Sequence, residues 1–212
     1  MNNKIIEINQ LSHTYNHSLK VLNNLTIDIN KHDFLTFVGP SGCGKSTLFK
    51  IITKLIASYD GTIKIKDIDL SDSNEPLGYM PQKDLLLPWR TLYKNVILPL
   101  ELVKKEINES EILKMIDIFG LLDFTSHYPH QLCGGMKQRT ALLRTFLMGN
   151  DIVLLDEPFA ALDYLTKRNL QKWLVDVFKK LDKTVIFITH DIEEALFLSN
   201  RVVVLSKIPA SI

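Results

Sequence analysis

Four short runs of the chain are apolar at nearly every position: Phe34–Val38 (FLTFV), Ile152–Asp156 (IVLLD), Thr184–Thr189 (TVIFIT) and Arg201–Leu205 (RVVVL). A half-wet strand alternates polar with apolar, so short continuous runs of this kind predict strands covered on both faces of a parallel sheet. Between and after them, Lys45–Ile56, Gly135–Met148, Thr166–Leu181 and Ile192–Leu198 repeat their apolar residues at helical spacing. The alternation predicts an α/β core with crossover helices.

Two other stretches break this pattern. KIIEINQLSHTY and KVLNNLTIDIN in the first thirty residues, and later GTIKIKDIDL, alternate polar with apolar between Asn-rich turns. They predict an N-terminal antiparallel β region with one wet face. From about Asp84 to His130 there is no β-rich run, but Pro88, Pro99 and Pro129 and a capped helix over Ser110–Phe119 that ends at Gly120. We read this stretch as a helical insertion, which with the helix after it spans residues 84–146 of a single domain 1–212. No internal repeat and no low-complexity segment is present.

Composition narrows the function classes. A chain of 212 residues is long enough for a sizeable core. Its net charge of +1 gives no electrostatic case for nucleic acid or an acidic membrane. The two cysteines, Cys43 and Cys133, each fall in a glycine-rich loop that a disulfide would obstruct, so both are expected as free thiols in a reducing compartment. The N-terminus lacks the layout of a signal peptide, and VILPLELV and similar runs are too short to span a bilayer. A cytosolic chain, or one that docks on a membrane protein from the cytosol, is expected.

Candidate chemistry begins at Gly39-Pro40-Ser41-Gly42-Cys43-Gly44-Lys45-Ser46-Thr47, which satisfies G-x-x-x-x-G-K-[ST] between a predicted strand and a predicted helix. Glycines let consecutive N–H groups turn inward around an anion, and the helix N-terminus adds partial positive charge. Lys45 would reach the β- and γ-phosphates of a nucleoside triphosphate, and the Ser46 hydroxyl would face Mg²⁺. Asp156 and Glu157 close the strand IVLLD before Pro158. There one carboxylate can hold Mg²⁺ while its neighbour polarises an attacking water. His190 ends TVIFITH, at the carboxyl end of another strand, where ligands of open parallel sheets gather.

These pieces, in this order, resemble the nucleotide-binding subunit of an ATP-binding cassette (ABC) transporter over essentially the whole chain. The resemblance implies the fold: a P-loop NTPase core with a mostly parallel sheet, an N-terminal antiparallel β subdomain and an inserted helical subdomain. It implies that Tyr15 in SHTYN stacks on adenine, and that Gln82 in YMPQ links the nucleotide site to the helical subdomain and helps hold Mg²⁺ with Ser46 and Asp156. LCGGMKQR is similar to the family signature, Ala161-Leu162-Asp163 to the dimer-contacting loop, and His190 to the switch histidine. Glu157 would activate water. LLLPWRTLYKNVILPLE, YPHQLCGGMKQR, DEPFAALD and THDIEEALFLSNRVVVLS look most like importer ATPases of the nitrate, sulfonate and taurine group.

The same resemblance implies ATP and Mg²⁺ as ligands and a head-to-tail dimer, expected as a homodimer. In it, amides of Gly134 and Gly135 beside Cys133 complete the γ-phosphate shell of the partner's nucleotide. Further partners are a transmembrane permease and, indirectly, an extracytoplasmic solute-binding protein, with the chain peripheral on the cytoplasmic face of the membrane and no nucleic acid involved. Further helix is implied beyond the last strand, where this sequence stops at Ile212.

Cys133 departs from the family's serine. A thiol is a weaker donor, so closure loses on the order of 1–3 kcal/mol and is slowed or weakened, not abolished, because amide donors and Arg139 remain; the alternative is that a backbone-dominated contact tolerates the swap. Cys43, beside Lys45 and a helix N-terminus, is expected to be a reactive thiol whose alkylation inhibits and which ATP protects. Trp89, next to Arg90, is either a docking contact for the permease or a cap on a local core; Trp173 and Phe178 are expected in the core. The charge runs Lys104-Lys105, Lys179-Lys180 and Glu193-Glu194 read as solvated faces. Two rivals remain. An ABC-type ATPase of DNA maintenance would carry a long coiled coil, and no sustained heptads appear. A non-hydrolysing clamp is disfavoured by intact Glu157 and His190.

Overall fold

The computed structural model describes residues 3–16, 18–147, 151–160, 162–181 and 183–212, with only the backbone at 179–181. Met148, the expected end of one helix, Ala161 of the expected dimer-contacting loop, and the side chains of Lys179 and Lys180 lie outside the described residues.

In chain order the elements are β1 (Lys4–Tyr15), β2 (Leu19–Asn30), β3 (Phe34–Val38), α1 (Lys45–Ile52), β4 (Asp60–Ile65), β5 (Ile68–Asp69), β6 (Gly78–Met80), α2 (Leu92–Val96), α3 (Leu98–Leu102), α4 (Glu109–Ile118), α5 (Gly134–Phe146), β7 (Ile152–Asp156), α6 (Tyr164–Leu181), β8 (Thr184–Thr189), α7 (Ile192–Leu198) and β9 (Arg201–Val204). They build two sheets: an antiparallel one in the order β2-β1-β4-β5 and a parallel one in the order β6-β7-β8-β3-β9. This is the P-loop ATPase architecture expected of the chain, with helices on both sides of the parallel sheet.

The continuous apolar strands are explained by two cores. Along β7, Ile152 and Leu154 pack toward the antiparallel sheet and α1, while Val153 and Leu155 pack toward the helices. β8 divides in the same way, Ile186 and Ile188 on one face and Val185 and Phe187 on the other. Successive side chains point to opposite faces, so a strand covered twice must be apolar at every position.

The antiparallel sheet keeps its inward face across an irregularity. In β1, Ile6 and Ile8 are buried, and so is Leu11, an odd spacing. A bulge with Gln10 at φ 52° absorbs the extra residue, and Asn24 at φ 52° does the same in β2 between buried Leu22 and Leu25. The amides displaced from the ladder find hydroxyls, Gln10 N–H donating to Thr26 and Asn24 N–H to Ser12. The corrected register carries His13 and Tyr15 inward toward α1.

Several boundaries differ from the sequence expectation. α1 stops at Ile52 and not at Ile56, because Lys54 turns left-handed at φ 61° and the Ile56 N–H folds back to the Lys50 carbonyl. β9 ends at Val204, one residue short of Leu205. α4 starts at Glu109 behind an Asn108 cap and ends at Ile118. Gly120, at φ 64°, donates to the Asp117 carbonyl, and Leu121 to that of Ile116, a left-handed helix stop. β6 was not foreseen: three residues are too few to show a period, yet they pair in parallel with β7 and end at Pro81.

Candidate nucleotide site

Three of the predicted site segments leave the same edge of the parallel sheet. β3 runs into Gly39, β7 ends at Asp156 and β8 at Thr189, and the unforeseen β6 sets Gln82 beside the end of β7. The loop after β3 winds into α1 through Gly44 at φ 114°. A Cβ there would sit 2.7 Å from Val21 Cγ1, so neither the backbone nor the neighbours admit a side chain. Lys45 is buried and curls back over the loop, its ammonium donating to the carbonyls of Gly39 at 2.8 Å and Pro40 at 2.9 Å.

Ser41, Gly42, Gly44 to Thr47, Gln82, Asp156 and Glu157 enclose a cavity of about 340 Å³. At its floor the Ser46 hydroxyl donates to Asp156 Oδ1 at 3.2 Å. Burial raises the Asp156 carboxyl above its ordinary value; the Ser46 hydrogen bond opposes this and the Glu157 charge adds to it. A hydroxyl and a carboxylate side by side are the hard oxygen donors that Mg²⁺ prefers, with phosphates and waters to fill the rest of its shell. Tyr79 lies close enough to Asp156 for that charge to add to burial, and its phenol is pushed up to about 12.

Glu157 is held in an unusual way. Its φ is 46°, a left-handed value that costs a non-glycine residue about 1–3 kcal/mol, and its N–H donates to the Ile188 carbonyl at 3.0 Å. This twist carries its carboxylate between His190 and Gln82: Oε2 lies 3.1 Å from His190 Nδ1 and 3.5 Å from Gln82 Nε2, which donates to it. Tyr15 does not line this cavity but stands next to it, its hydroxyl 3.3 Å from Thr47 Oγ1, while the His13 ring meets it edge-on at 4.5 Å. His13 itself donates from Nδ1 to the Ser58 carbonyl.

The signature segment lies elsewhere. Among the described residues, Cys133, Gly134 and Gly135 do not line the cavity. Cys133 is exposed and occupies the N-cap of α5 in an extended conformation, and no side chain caps that helix. The contrast with neighbouring helices is sharp. Thr91 caps α2, Asn108 caps α4, Asp163 accepts from Thr166 at the head of α6, and Asp191 caps α7. α3 has Pro99 in its first turn. Only α1 and α5, the two helices behind glycine-rich loops, keep their first N–H groups without a side-chain cap or a proline among the described residues. An uncapped N-terminus carries free donors and partial positive charge, the equipment for an anion.

Two expectations, at Cys43 and Arg139, need correction. The Cys43 thiol is 2% exposed with Sγ 3.9 Å from Lys45 Nζ, so packing shields it and an alkylating reagent meets exposed Cys133 first. Arg139 does not extend from the signature toward a partner; its guanidinium stacks over the Trp173 ring at 5.3 Å, inside the protomer. Gly135 is buried, and a Cβ on it would lie 2.9 Å from Thr166 Cγ2, so its lack of a side chain serves the packing of α5 on α6 within one chain. Trp89 is 70% exposed, which removes the reading as a cap on a local core. It projects from a loop tied down by buried Asn95, whose amide donates to the carbonyls of Leu87, Arg90 and Thr91. Trp173 and Phe178 pack as expected, against Phe119 and Phe34.

One cluster beside the site corrects the reading of Glu193-Glu194 as a solvated face: Glu193 is exposed, but Glu194 is 4% exposed because it faces α6, where Lys167 and Gln171 pair with it. Lys167, in the first turns of α6, reaches Asp191 Oδ2 and Glu194 Oε1, both at 2.7 Å. Burial works against its ammonium, but the hydrogen bonds to the two carboxylates outweigh it and hold the pKa above the ordinary value.

Comparison with known proteins agrees with this geometry. Residues 22–160 match a family described as ABC transporter. The formylaminopyrimidine import ATP-binding protein ThiZ of Halalkalibacterium halodurans is 41% identical over 208 residues, which cover 97% of this chain and 81% of that protein. The aliphatic sulfonates import ATP-binding protein SsuB of Bacillus cereus is 38% identical over 210 residues, with 98% and 83% covered. Among solved structures, the dimeric structure of a bacterial ABC transporter cassette superposes with a TM-score of 0.82 at 30% identity, covering 95% of this chain and 94% of that one. The dimeric structure of a post-hydrolysis state of an ATP-binding cassette bound to ADP and Pi gives 0.81 at 29% identity, with 94% of each chain covered.

Proposed function

The chain belongs to the ABC transporter family as one of its ATPases, and we propose that two copies clamp two ATP molecules head to tail beneath the permease of a small-solute importer. The observation that carries this reading is the unequal completion of the two uncapped helix N-termini: α1 faces a walled cavity of its own chain, whereas α5 faces outward from an exposed Cys133. Each protomer would then hold ATP on its own loop 39–47 and offer the amides of Gly134 and Gly135 to the partner's γ-phosphate.

Within one protomer the proposed roles are these. Tyr15 stacks on adenine, and the amides of Gly39 to Thr47 wrap the phosphates. Ser46, Asp156 and Gln82 would hold Mg²⁺, which when bound neutralises phosphate charge as it develops. Glu157 takes the proton of the attacking water, and His190, hydrogen-bonded to it, orients the carboxylate. The helices 84–146 serve as the unit that meets the permease, with exposed Trp89 as a contact. No helix among the described residues is long and apolar enough to cross a membrane; the passage itself is assigned to the permease. The importer names of the two relatives support a solute of the sulfonate or a related class, brought to the permease by a solute-binding protein.

The test is Glu157→Gln. Steady-state ATPase should fall at least about 100-fold, while ATP still drives a dimer that size-exclusion chromatography detects. Wild-type turnover in this variant, or loss of the dimer with nucleotide binding intact, would overturn the reading.

A further inference from the structure

We propose that Lys167 is a positioning residue that ties the dimer-contacting loop to the Glu157–His190 pair, so that hydrolysis depends on the seating of that loop. This rests on the reading of Glu157 and His190 as the water-activating pair.

The physical chain is short. Asp163 starts α6: its carboxylate accepts from Thr166 N–H at 3.1 Å and its carbonyl from Lys167 N–H at 2.9 Å. Lys167 then extends to Asp191 and Glu194, the residues that open α7 just after His190. Glu194 is almost fully buried, its side chain 5% exposed, and it also accepts from Gln171 at 3.2 Å and from the Thr189 hydroxyl. Asp191 N–H donates to Thr189 Oγ1 at 3.0 Å. His190 is thus gripped on both sides, at Thr189 and at Asp191, by groups that converge on one ammonium.

That ammonium borders a cavity of about 80 Å³, which Glu157, Thr189, His190 and Glu194 also line and which Leu162 of the dimer-contacting loop closes. Among the described residues, Lys167 is the only lysine or arginine on its wall. The loop touches the signature from the other side: Leu162 Cδ2 lies 3.4 Å from where a Cβ on Gly134 would be. A displacement of Leu162 and Asp163 by a docking partner therefore moves the root of α6, and the lysine passes it to the turn that carries His190. A second pair across the same two helices, Arg168 with Glu193 at 2.9 Å, faces solvent and borders no part of this cavity.

A plain structural ion cluster would also lose stability on mutation, so the test separates stability from turnover. Lys167→Met strands a buried carboxylate, which destabilises the fold. Adding Glu194→Gln removes that carboxylate and should restore the melting temperature. If the tie positions His190, Lys167→Met lowers kcat at least about tenfold with KM for ATP within about twofold, and the double variant regains stability but not kcat. Lys167→Arg keeps the charge and two donors and should recover most of the turnover. Unchanged kcat in Lys167→Met, or kcat that returns with melting temperature in the double variant, would overturn the proposal. Full turnover in Glu157→Gln would instead remove the catalytic assignment beneath it.

Discussion

At residues 39–47, and again at 132–135, a glycine-containing stretch runs into a helix whose first turn no side chain caps, yet only the first stretch encloses a cavity of its own. Loop 39–47 is finished within the protomer. Lys45 is folded over its carbonyls, Ser46 is bonded to Asp156, and Gly44 is locked by Val21. Stretch 132–135 carries an exposed thiol at Cys133, and its second glycine serves packing against Thr166. The two glycine-rich loops therefore use glycine for different reasons. In the first, glycine supplies a backbone conformation; in the second, it supplies a close approach between helices that sets where the free amides point.

The largest effect that would break this comparison is expected at Gly44. Alanine there must adopt φ 114° and meet Val21 Cγ1 at 2.7 Å, so the loop has to open. We expect Gly44→Ala to weaken binding of a fluorescent ATP analogue at least about tenfold, from strain of roughly 1–3 kcal/mol placed where the phosphates bind. Near-native affinity would mean that the loop is not pre-shaped. Gly135→Ala acts by a different route. It should push α5 from α6, cost roughly 1–3 kcal/mol of overpacking, and lower the melting temperature by about 2–12 °C without touching affinity for a single nucleotide. Thr166→Ser removes the clashing methyl and should restore the loss. Lost ATP-driven dimerisation at an unchanged melting temperature would instead place the glycine's role wholly at the partner.

How much of this was legible in the sequence depends on range. β3, β7, β8 and α7 were read to the residue, because burial on both faces or a clean helical period leaves its mark on every position of a short segment. The helix after Lys45 was read four residues too long, since apolar Leu55 and Ile56 continue the pattern while the left-handed turn at Lys54 leaves no signal of its own. The phosphate loop was legible as local chemistry, and its cavity walls followed from strand ends. Pairings across long separations were not. Arg139 with Trp173, and Lys167 with Asp191 and Glu194, are set by how α6 packs, and no spacing rule connects them. The error at Arg139 is of this kind: a basic residue in a signature was assigned to an anion, when an aromatic ring from α6 had already claimed it.

Cys133→Ser sharpens the comparison with the smallest change, a sulfur for an oxygen at the head of α5. Serine is a preferred N-cap, and from the extended conformation of residue 133 its oxygen can accept from the first turn of the helix. That alone should stabilise the protomer by about 1 kcal/mol, a rise of about 2–4 °C in the nucleotide-free melting temperature. The same hydroxyl can still donate outward, and a hydroxyl is a better donor to phosphate than a thiol. If the outward bond matters, ATP-driven dimerisation of Cys133→Ser in a Glu157→Gln background should tighten by about fivefold or more, from at least ~1 kcal/mol of added hydrogen bonding. If the melting temperature rises and the dimer constant stays put, the backbone amides carry the contact and the thiol is a tolerated swap. A dimer that weakens would mean that the new cap competes with the partner's phosphate for the same N–H groups, and that leaving α5 uncapped is itself what the docking surface requires.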